Sequence, residues 1–339
     1  MKTAAQDRPA PETTTMQAII QDRYGEAADV LRLAEIGRPV IGDGEVLLRV
    51  HAAGLDRGVW HLMTGLPYPV RLAGYGVRAP KTRVRGREVA GRVEAIGTGV
   101  TTFQVGDEVF GIAEGTFAGY ACAKPGKLAH RPESLTAVRA AAVSVSALTA
   151  LQAVRDHGHV QAGQKVLVIG ASGGVGTFAV QIAKAYGAEV TGMCSTQKMD
   201  LVGSIGADHV IDYTRADITA GAHRYDVIID IGGNRPLRQL RAALTSRGTL
   251  VIVGGETGGR WLGGFDRSLR APVLSRLVRQ QLATVMCSEN ASDLLVLAEH
   301  IESGTVTPVI DKTYPLSQVP DAIRYMQEGH ARGKVVITI

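Results

Sequence analysis

The segment spanning residues 165–186 constrains the fold of this 339-residue chain more than any other. A continuous apolar stretch, Lys165–Ile169, is followed by a glycine-rich turn and then by a predicted helix over residues 175–186. Glycine in such a turn lets the backbone approach a pyrophosphate and lets the helix pack closely on its strand. The helix N-terminus then directs free N–H groups at the phosphates. The turn therefore predicts a dinucleotide-binding unit whose contacting residues are Ala171, Ser172, Gly173, Gly174, Val175 and Gly176.

The patterns on either side of this unit predict the rest of the architecture. Downstream, apolar strands at residues 189–193, 226–230, 249–253 and 282–286 alternate with helices, which is typical of a parallel sheet covered on both faces. Upstream, residues 17–131 contain short strands interrupted by Gly, Pro and Asp. We therefore expect an α/β protein that combines a Rossmann-type, doubly wound parallel sheet with a β-rich, partly barrel-like domain.

The same patterns indicate where the domains begin and end. Residues 1–15 are polar, carry two prolines and are expected to form a disordered tail. The β-rich domain is predicted to span residues 16–138, and the cofactor-binding domain residues 139–288. Residues 289–339 end in a predicted strand at 334–339 and are expected to return to the β-rich domain.

The end of the second predicted strand of the cofactor domain indicates which dinucleotide binds. A site for NAD usually has Asp or Glu about 20 residues past the turn, where the carboxylate accepts a hydrogen bond from the ribose 2′-OH. Here Ser195 holds that position, and no acidic residue separates it from Lys198. Hydroxyls and a cation suit a 2′-phosphate, so we predict NADPH, unless Lys198 only faces solvent. Further cofactor contacts are expected from Tyr213 and, after the later strands, from Gly232, Val253 and Cys287.

Charge and cysteine content exclude several classes of function. The net charge is +5, and Lys and Arg are spread along the chain without the dense run of a nucleic-acid-binding arm. The three cysteines form neither a disulfide framework nor a Cys-x-x-Cys zinc motif. No apolar run reaches the roughly 18 residues of a membrane span. We therefore expect a cytoplasmic protein that acts on a small-molecule substrate and binds neither nucleic acid nor membranes.

Short motifs, in a shared order and spacing, are similar to those of the medium-chain dehydrogenase/reductase superfamily. They include residues 52–56 (Ala-Ala-Gly-Leu-Asp), 86–91, 105–111 and 206–213, in addition to the glycine-rich turn. Within the superfamily, the chain most resembles the zinc-independent quinone oxidoreductase group. The resemblance implies that the β-rich part is a GroES-like catalytic domain and that the protein is a homodimer.

The resemblance also locates the positions at which zinc-dependent relatives hold their metal. Asp56 replaces a cysteine ligand, Arg87 replaces the histidine of a Gly-His-Glu motif, and no thiol lies near Ser144. A loop with four cysteines is also missing. Glu88 is retained, but one carboxylate does not make a zinc site, so we predict no metal. The alternative is a different metal cluster formed by Asp56, His61 and Glu88.

Losing zinc changes the expected chemistry, because alcohol oxidation uses a Lewis acid to stabilise an alkoxide. Zinc-free relatives more often reduce quinones or the C=C bond of α,β-unsaturated carbonyls, and the resemblance implies hydride transfer from NADPH to such a carbon. It also implies that Thr149 lies near the nicotinamide, although it could be a helix-surface residue without a role. The alternatives are a zinc-free carbonyl or alcohol oxidoreductase of a biosynthetic pathway, or a protein that binds NADPH with little catalysis.

The remaining candidate site residues lie at positions 56–65, which we interpret as a loop. His61 could donate a proton or hydrogen-bond a carbonyl near neutral pH, or it could only pack. Asp56 could orient His61 or contact the nicotinamide ribose, or it could cap the end of a strand. Trp60 could form a flat wall for a planar substrate, and Arg57 could attract an anionic one. The simpler alternatives are a core aromatic and a solvated cation.

Overall fold

The computed structural model describes residues 14–216, 218, 224–233, 235–255 and 259–339. The strands are β1 (Thr15–Ile20), β2 (Arg32–Gly37), β3 (Val46–Leu55), β4 (Glu88–Ile96), β5 (Glu108–Ile112), β6 (Tyr120–Ala123), β7 (Leu128–His130), β8 (Lys165–Ile169), β9 (Glu189–Cys194), β10 (His209–Asp212), β11 (Tyr225–Asp230), β12 (Leu244–Ile252), β13 (Gln281–Thr284), β14 (Ile310–Pro315) and β15 (Lys334–Thr338). The α-helices are α1 (Ala27–Val30), α2 (Arg57–Thr64), α3 (Ala137–Ala141), α4 (Ser144–Gln152), α5 (Gly174–Ala185), α6 (Met199–Ser204), α7 (Leu237–Ala243), α8 (Gly259–Leu262), α9 (Phe265–Ser275), α10 (Ala291–Glu302) and α11 (Val319–Gln327). Short 3₁₀ turns occur at Pro125–Lys127, Thr196–Lys198 and Leu316–Gln318, and π turns at Arg71–Tyr75 and Ala153–His157.

The first large sheet is mainly antiparallel and combines strands from residues 46–130 with two strands near the C-terminus, whereas β1 and β2 form a separate two-stranded sheet. Its strand order is β14-β15-β3-β4-β5-β7, with β6 paired to β3. The last strand, β15, lies antiparallel to β3, with Val335 opposite Leu55. Residues near the C-terminus therefore complete a sheet that begins near residue 46, although the proposed domain boundaries stay a prediction.

The second large sheet is parallel and has the strand order β10-β9-β8-β11-β12-β13. The chain order of these strands along the sheet reverses between β8 and β11, so the crevice at their carboxyl ends is where a dinucleotide is expected. Burial explains the continuous apolar run in β8, because four of its five residues are buried between helices on the two faces. The predicted α/β architecture, a Rossmann sheet beside a GroES-like domain, is confirmed.

One hydrophobic cluster passes from one sheet to the other through α4. It contains Phe110 from the first sheet, Leu148 and Leu151 from α4, and Val166 and Phe178 from the cofactor unit. Because α4 is buried on most of its circumference, it lacks a charged, solvent-facing side, and even its Ser144, Ser146 and Gln152 are buried. This helix fixes the two sheets against each other and therefore fixes the walls of the crevice.

Three sequence predictions need correction. Residues 141–154 are rich in Ala, Val and Leu, a composition that predicts one helix. In the structure this stretch is divided between the end of α3, α4 and a π turn, because the Glu88 carboxylate accepts the N–H of Val145 at 2.8 Å and so caps a new helix start. The tail expected over residues 1–15 is one or more residues shorter, because Thr15 already pairs with Gly37; residues 1–13 lie outside the described part. The loop expected at residues 56–65 is the helix α2.

None of the helices in the described part of the chain combines the length and the apolar character that a membrane crossing requires.

Candidate functional site

The glycine-rich turn has an open approach and an uncapped helix end. Gly173 is the N-cap of α5, and as a glycine it has no side chain to cap the first N–H groups of this helix. A β-carbon added to Gly173 would have only one neighbour within 4 Å, the carbonyl oxygen of Gly170 at 3.5 Å. At Gly176 the same carbonyl would lie 2.0 Å away, so this glycine is needed for helix–strand packing. An anionic pyrophosphate fits the open side at Gly173, where unpaired N–H groups and the helix dipole act together.

Ala171 replaces a glycine in the fingerprint without disturbing the turn. Its side chain is fully buried, and its N–H donates to the carbonyl of Met193 at 3.1 Å. The backbone conformation that needs glycine occurs one residue earlier, at Gly170, whose φ is +84°. The methyl group of Ala171 therefore packs into the core beside Gly192, away from the open face of the turn.

The C-terminal strand supports the turn from the other sheet. Gly333 donates its N–H to the carbonyl of Ser172 at 2.9 Å, and Lys334 lies directly under Gly174. The Lys334 ammonium is buried, pairs with the Glu88 carboxylate and donates to the Ser146 hydroxyl at 3.0 Å. Burial of the Glu88 carboxylate raises its pKa, an effect that the Lys334 charge opposes. This arrangement joins the cofactor turn, α4 and the first sheet at one point.

The predicted 2′-phosphate residues lie at the end of β9. Ser195 accepts the backbone N–H of Lys198 at 2.9 Å and begins the 3₁₀ turn Thr196–Lys198. Lys198 donates two of its three N–H groups to the carbonyls of Gly329 and Ala331, both at 2.8 Å. Tyr213 is 54% exposed, and its backbone N–H donates to Cys194. These contacts fix Lys198 beside the crevice and leave one donor for a ligand.

Two carboxylates that the sequence did not associate with this region lie close to it. Asp200 accepts two hydrogen bonds from Arg332, at 2.7 and 2.8 Å, and these bonds lower its pKa. Asp212 accepts from the hydroxyls of Thr196 and Thr214, which lower its pKa. Both acids therefore have partners within the protein. Arg332 was missed because it lies 132 residues from Asp200 in the sequence, and no local pattern joins them.

The ends of the later strands bring further predicted residues to the crevice. The N–H of Gly232 points to the carbonyl of Ile169 at 3.3 Å, and the N–H of Val253 donates to the carbonyl of Asp230 at 3.0 Å. The Asp230 carboxylate is fully buried and pairs with Arg267 of α9. Gly232 therefore lies beside the end of β8, at the reversal point of the sheet, and Val253 lies one strand further along, beside the end of β11.

Thr149 and Cys287, predicted from separate arguments, are neighbours. The Thr149 side chain is a hydrogen-bond partner of the Cys287 thiol, and its Oγ1 also donates to the carbonyl of Val145 at 2.7 Å. Gln152, one helical turn along α4, exchanges two 2.8 Å hydrogen bonds with the backbone of Ser288 and so fixes the segment after β13. Burial is the main cause that raises the pKa of the Cys287 thiol, which therefore stays protonated at neutral pH.

Asp56 and His61 belong to α2 and do not contact each other. Asp56 Oδ1 caps the helix by accepting the Val59 N–H at 3.1 Å, whereas its buried Oδ2 has no hydrogen-bond partner. His61 Nδ1 lies 2.7 Å from the carbonyl oxygen of Leu66. Among the described residues no hydrogen bond joins Asp56 to His61, so orientation of His61 by Asp56 stays a prediction. The unpartnered oxygen is a ready acceptor for a ribose hydroxyl.

Trp60 and Arg57 are also on α2. Trp60 packs against the hydrophobic cluster that contains Val59 and Met63, and its buried indole N–H has no partner. The Arg57 guanidinium lies 5.8 Å from the centre of the Trp60 ring. Trp60 therefore contributes to the core, and its role as a wall for a planar substrate stays a prediction.

The positions of the zinc ligands in relatives hold charged residues with other partners. The Arg87 guanidinium pairs with Glu289, which also accepts from Lys127 at 2.7 Å, and the negative charges of Glu289 and Asp56 hold the pKa of Arg87 above its usual value despite burial. Within the described ranges, no three His, Cys, Asp or Glu side chains are grouped closely enough to hold a metal ion. The pair of Arg87 with Glu289, a residue that the sequence did not single out, connects the first sheet to the segment after β13.

Both parts of the chain match known families. Residues 42–193 match the alcohol dehydrogenase GroES-like domain, and residues 205–337 match the zinc-binding dehydrogenase family. The chain is 34% identical over 364 residues to the mitochondrial NAD(P)H oxidoreductase RTN4IP1 of Bos taurus, a match that covers 97% of this chain and 91% of the relative.

Two further comparisons agree. A chloroplastic NADPH-dependent alkenal/one oxidoreductase of Arabidopsis thaliana is 32% identical over 344 residues, covering 95% of this chain and 79% of the relative. The solved structure of the quinone oxidoreductase from Coxiella burnetii superposes with a TM-score of 0.85 at 26% identity, covering 96% of this chain and 99% of that one. The chain therefore belongs to the medium-chain dehydrogenase/reductase superfamily, in its quinone oxidoreductase-like group.

Proposed function

We propose that this protein is a zinc-independent, NADPH-dependent reductase that transfers a hydride to a quinone or to the C=C bond of an α,β-unsaturated carbonyl. One observation carries the proposal: Arg87 stands at the position of a zinc-ligating histidine and is paired with Glu289 beside the cofactor crevice. A cation fixed there opposes a second cation at the same place. The relatives named as quinone and alkenal/one oxidoreductases support the same substrate class.

The choice of NADPH over NADH is supported by the end of β9. Ser195 and Lys198 offer a hydroxyl and a cation there, and the nearby acids Asp200 and Asp212 are already paired. A phosphate with charge near −2 is attracted by Lys198 and Arg332, whereas NADH gains nothing from them. The Arabidopsis relative is named as NADPH-dependent, which agrees with this preference.

Bound NADPH would supply the hydride, and the side chains around the crevice would position the reactants and provide a proton. A carbonyl oxygen only accepts hydrogen bonds, so the contact with Leu66 places the hydrogen of His61 on Nδ1. Nε2 would then be the nitrogen that exchanges a proton with a substrate. Asp56 Oδ2 is suited to a ribose hydroxyl, and Thr149 is suited to hold the nicotinamide edge.

A substrate panel tests this function. Purified protein is mixed with NADPH and, separately, a naphthoquinone, an alkenal and a simple aldehyde, while the absorbance of the reduced nicotinamide is followed. We expect oxidation with the quinone or the alkenal, little with the aldehyde, and no inhibition by a zinc chelator. Consumption restricted to the simple aldehyde, or lost on chelation, would contradict the proposal.

The variant His61→Phe tests the proton donor within the same assay. We expect turnover to fall by about 10²-fold, the lower range for general acid catalysis, with NADPH affinity retained. His159→Phe, which changes a histidine at the opposite end of β8, is the matched control. Unchanged turnover in His61→Phe would remove His61 from the mechanism.

The other expectations stay predictions. A homodimer is supported by an exposed apolar patch formed by Leu269 and Val273 of α9 and by Leu277 just after this helix, each of which is more than half exposed. The cytoplasmic location has no such support, since RTN4IP1 is named as mitochondrial and the alkenal/one oxidoreductase as chloroplastic.

A further inference from the structure

A partly enclosed cavity of about 240 Å³ lies against α2 and is separate from the cofactor turn. Val59 and Leu62 of α2 contribute apolar side chains to its wall, and residues 81–82 and 84–87 also line it. Neither the glycine-rich turn nor the end of β9 contributes to it. The volume is below the usual range for a cofactor or a drug-sized ligand, so a small molecule or one end of a larger one is what it can hold.

Arg85 lines this cavity and is buried without adequate partners. The residue is 6% exposed, and its Nε has no hydrogen-bond partner. Its side chain makes one long contact, from an Nη to the carbonyl of Leu62 at 3.5 Å. A guanidinium carries five N–H donors, and buried charges in proteins are normally paired. Burial lowers the pKa of Arg85 to about 10, as expected for a cation that lacks a close carboxylate.

The other charges of the cavity do not neutralise Arg85. Lys81 and Arg87 add positive charge to the same lining, and the charge of Arg87 is already paired with Glu289. The lining contains one carboxylate, Glu114, which accepts from the Thr82 hydroxyl at 3.3 Å near the exposed rim. The lining of the cavity is therefore net positive, and Arg85, its most buried cation, has the least complete set of hydrogen bonds.

We propose that this cavity is a binding site for the carboxylate of a small, partly apolar organic acid, with Arg85 as the main anchor. Guanidinium and carboxylate groups form paired N–H···O bonds, which would occupy the donors that Arg85 leaves unused. Val59 and Leu62 provide contacts for an apolar group attached to that carboxylate. The carboxylate belongs either to a free acid or to the substrate itself, and the two sources are separable.

Binding of benzoate, with benzamide as its neutral isostere, tests the proposal without relying on turnover. Melting temperature and calorimetric titration are measured on the full chain loaded with NADPH. We expect benzoate to raise the melting temperature and benzamide not to, because only a ligand bound to the folded state stabilises it. Equal effects of the two compounds, or no effect of either, would overturn the anion site.

The variant Arg85→Met adds a second, independent readout. Removal of a charge-assisted pair is expected to weaken benzoate binding by about 10- to 100-fold. Without any anion, Arg85→Met should melt higher than the wild type, because a buried cation without a partner is removed. The matched control is Arg324→Met, an exposed arginine of α11, which should retain the benzoate response. Retained benzoate affinity in Arg85→Met would refute the assignment; if this variant does not fold, Arg85→Lys replaces it in the same titration.

Kinetics then distinguish the two sources of the carboxylate, an arm that rests on the proposed reductase activity. The substrates are 3-benzoylacrylate, an enone with a free carboxylate, and its methyl ester. If the site holds the substrate's own carboxylate, Arg85→Met raises KM for the acid at least tenfold more than for the ester. If it holds a free acid, the two substrates respond alike, while the loss of benzoate binding persists. If the protein reduces neither substrate, the reductase proposal fails, and the benzoate titration still tests the binding site by itself.

Discussion

Alanine substitutions of two glycines in the glycine-rich turn, at positions only three residues apart, are expected to affect stability differently. Gly173→Ala adds a methyl group on the open side of the turn, where its one neighbour within 4 Å is the carbonyl oxygen of Gly170 at 3.5 Å. The backbone at Gly173, with φ −85° and ψ 179°, is allowed for alanine. We therefore expect the variant to fold with a stability within about 1 kcal/mol of the wild type.

Gly173→Ala should instead lower the affinity for NADPH. A methyl group placed where the pyrophosphate approaches is a case of overpacking, with a cost of about 1–3 kcal/mol. Since about 1.4 kcal/mol corresponds to tenfold in a binding constant, Kd for NADPH should rise by roughly 5- to 150-fold.

Gly176→Ala should fail for a different reason. Its β-carbon would lie 2.0 Å from the Gly170 carbonyl oxygen and 2.8 Å from two backbone atoms of Ala171. These backbone atoms cannot move aside as a flexible side chain can, so the free energy of unfolding should fall by about 3 kcal/mol or more. The total for a folded protein is typically about 5–15 kcal/mol. Stability and NADPH affinity should therefore fall together.

Urea denaturation and calorimetric titration with NADPH measure the two effects separately. Gly203→Ala on α6 is the control, since its β-carbon would have no neighbour within 4 Å and the change should raise stability by about 0.5–1 kcal/mol. If Gly173→Ala binds NADPH as tightly as the wild type, the cofactor does not approach this turn. If Gly176→Ala is as stable as the wild type, the close packing of α5 on β8 is not a constraint.

Three further predictions concern groups around the same crevice. Lys198→Met should weaken NADPH binding about tenfold more than NADH binding, because a charged hydrogen bond to the 2′-phosphate is lost. The control Lys165→Met, at the opposite end of the sheet, should change neither affinity, and equal losses of affinity for both cofactors in Lys198→Met would argue against a 2′-phosphate contact. Glu88→Ala should lower the free energy of unfolding in urea by about 3–5 kcal/mol, because it leaves Lys334 buried without its partner. The double variant with Lys334→Met should recover much of the lost stability; a double variant no more stable than Glu88→Ala would show that the loss comes from the helix cap. The raised pKa of Cys287 makes its thiolate scarce at pH 8, so alkylation of Cys287 by iodoacetamide should be slow at pH 8, become faster as pH rises and be slowed further by NADPH. Alkylation at pH 8 as fast as in the denatured chain, or unaffected by NADPH, would contradict the placement of Cys287 beside the nicotinamide.

Local patterns in the sequence were sufficient for the parts of the fold that depend on neighbouring residues. The apolar run Lys165–Ile169 is the strand β8 at the same residues, and the glycine-rich turn leads into a helix that begins at Gly174. Spacing alone also placed Ser195 and Lys198 at the end of β9. Such features are local because hydrophobic periodicity and glycine conformation act within a few residues.

Helix starts and the loop at residues 56–65 were harder to predict. The start of α4 depends on the Glu88 carboxylate, which lies 57 residues away from Val145 in the sequence. The segment after Asp56 contains Gly58 and reads as irregular, yet the Asp56 carboxylate caps it as a helix that packs its Val59 and Met63 into a core. Long-range capping and burial override local propensity in both places.

The sequence by itself determined the class of fold and the glycine-rich turn, because each depends on residue types at fixed spacing, and its resemblance to zinc-dependent relatives singled out Asp56 and Arg87. Only the tertiary structure decided what those residues do. It paired Arg87 with Glu289, placed Lys334 under the cofactor turn and left Arg85 buried beside a cavity without a carboxylate partner. These contacts join positions up to 246 residues apart, and electrostatic pairing depends on distance in space and on burial, neither of which is written in local sequence.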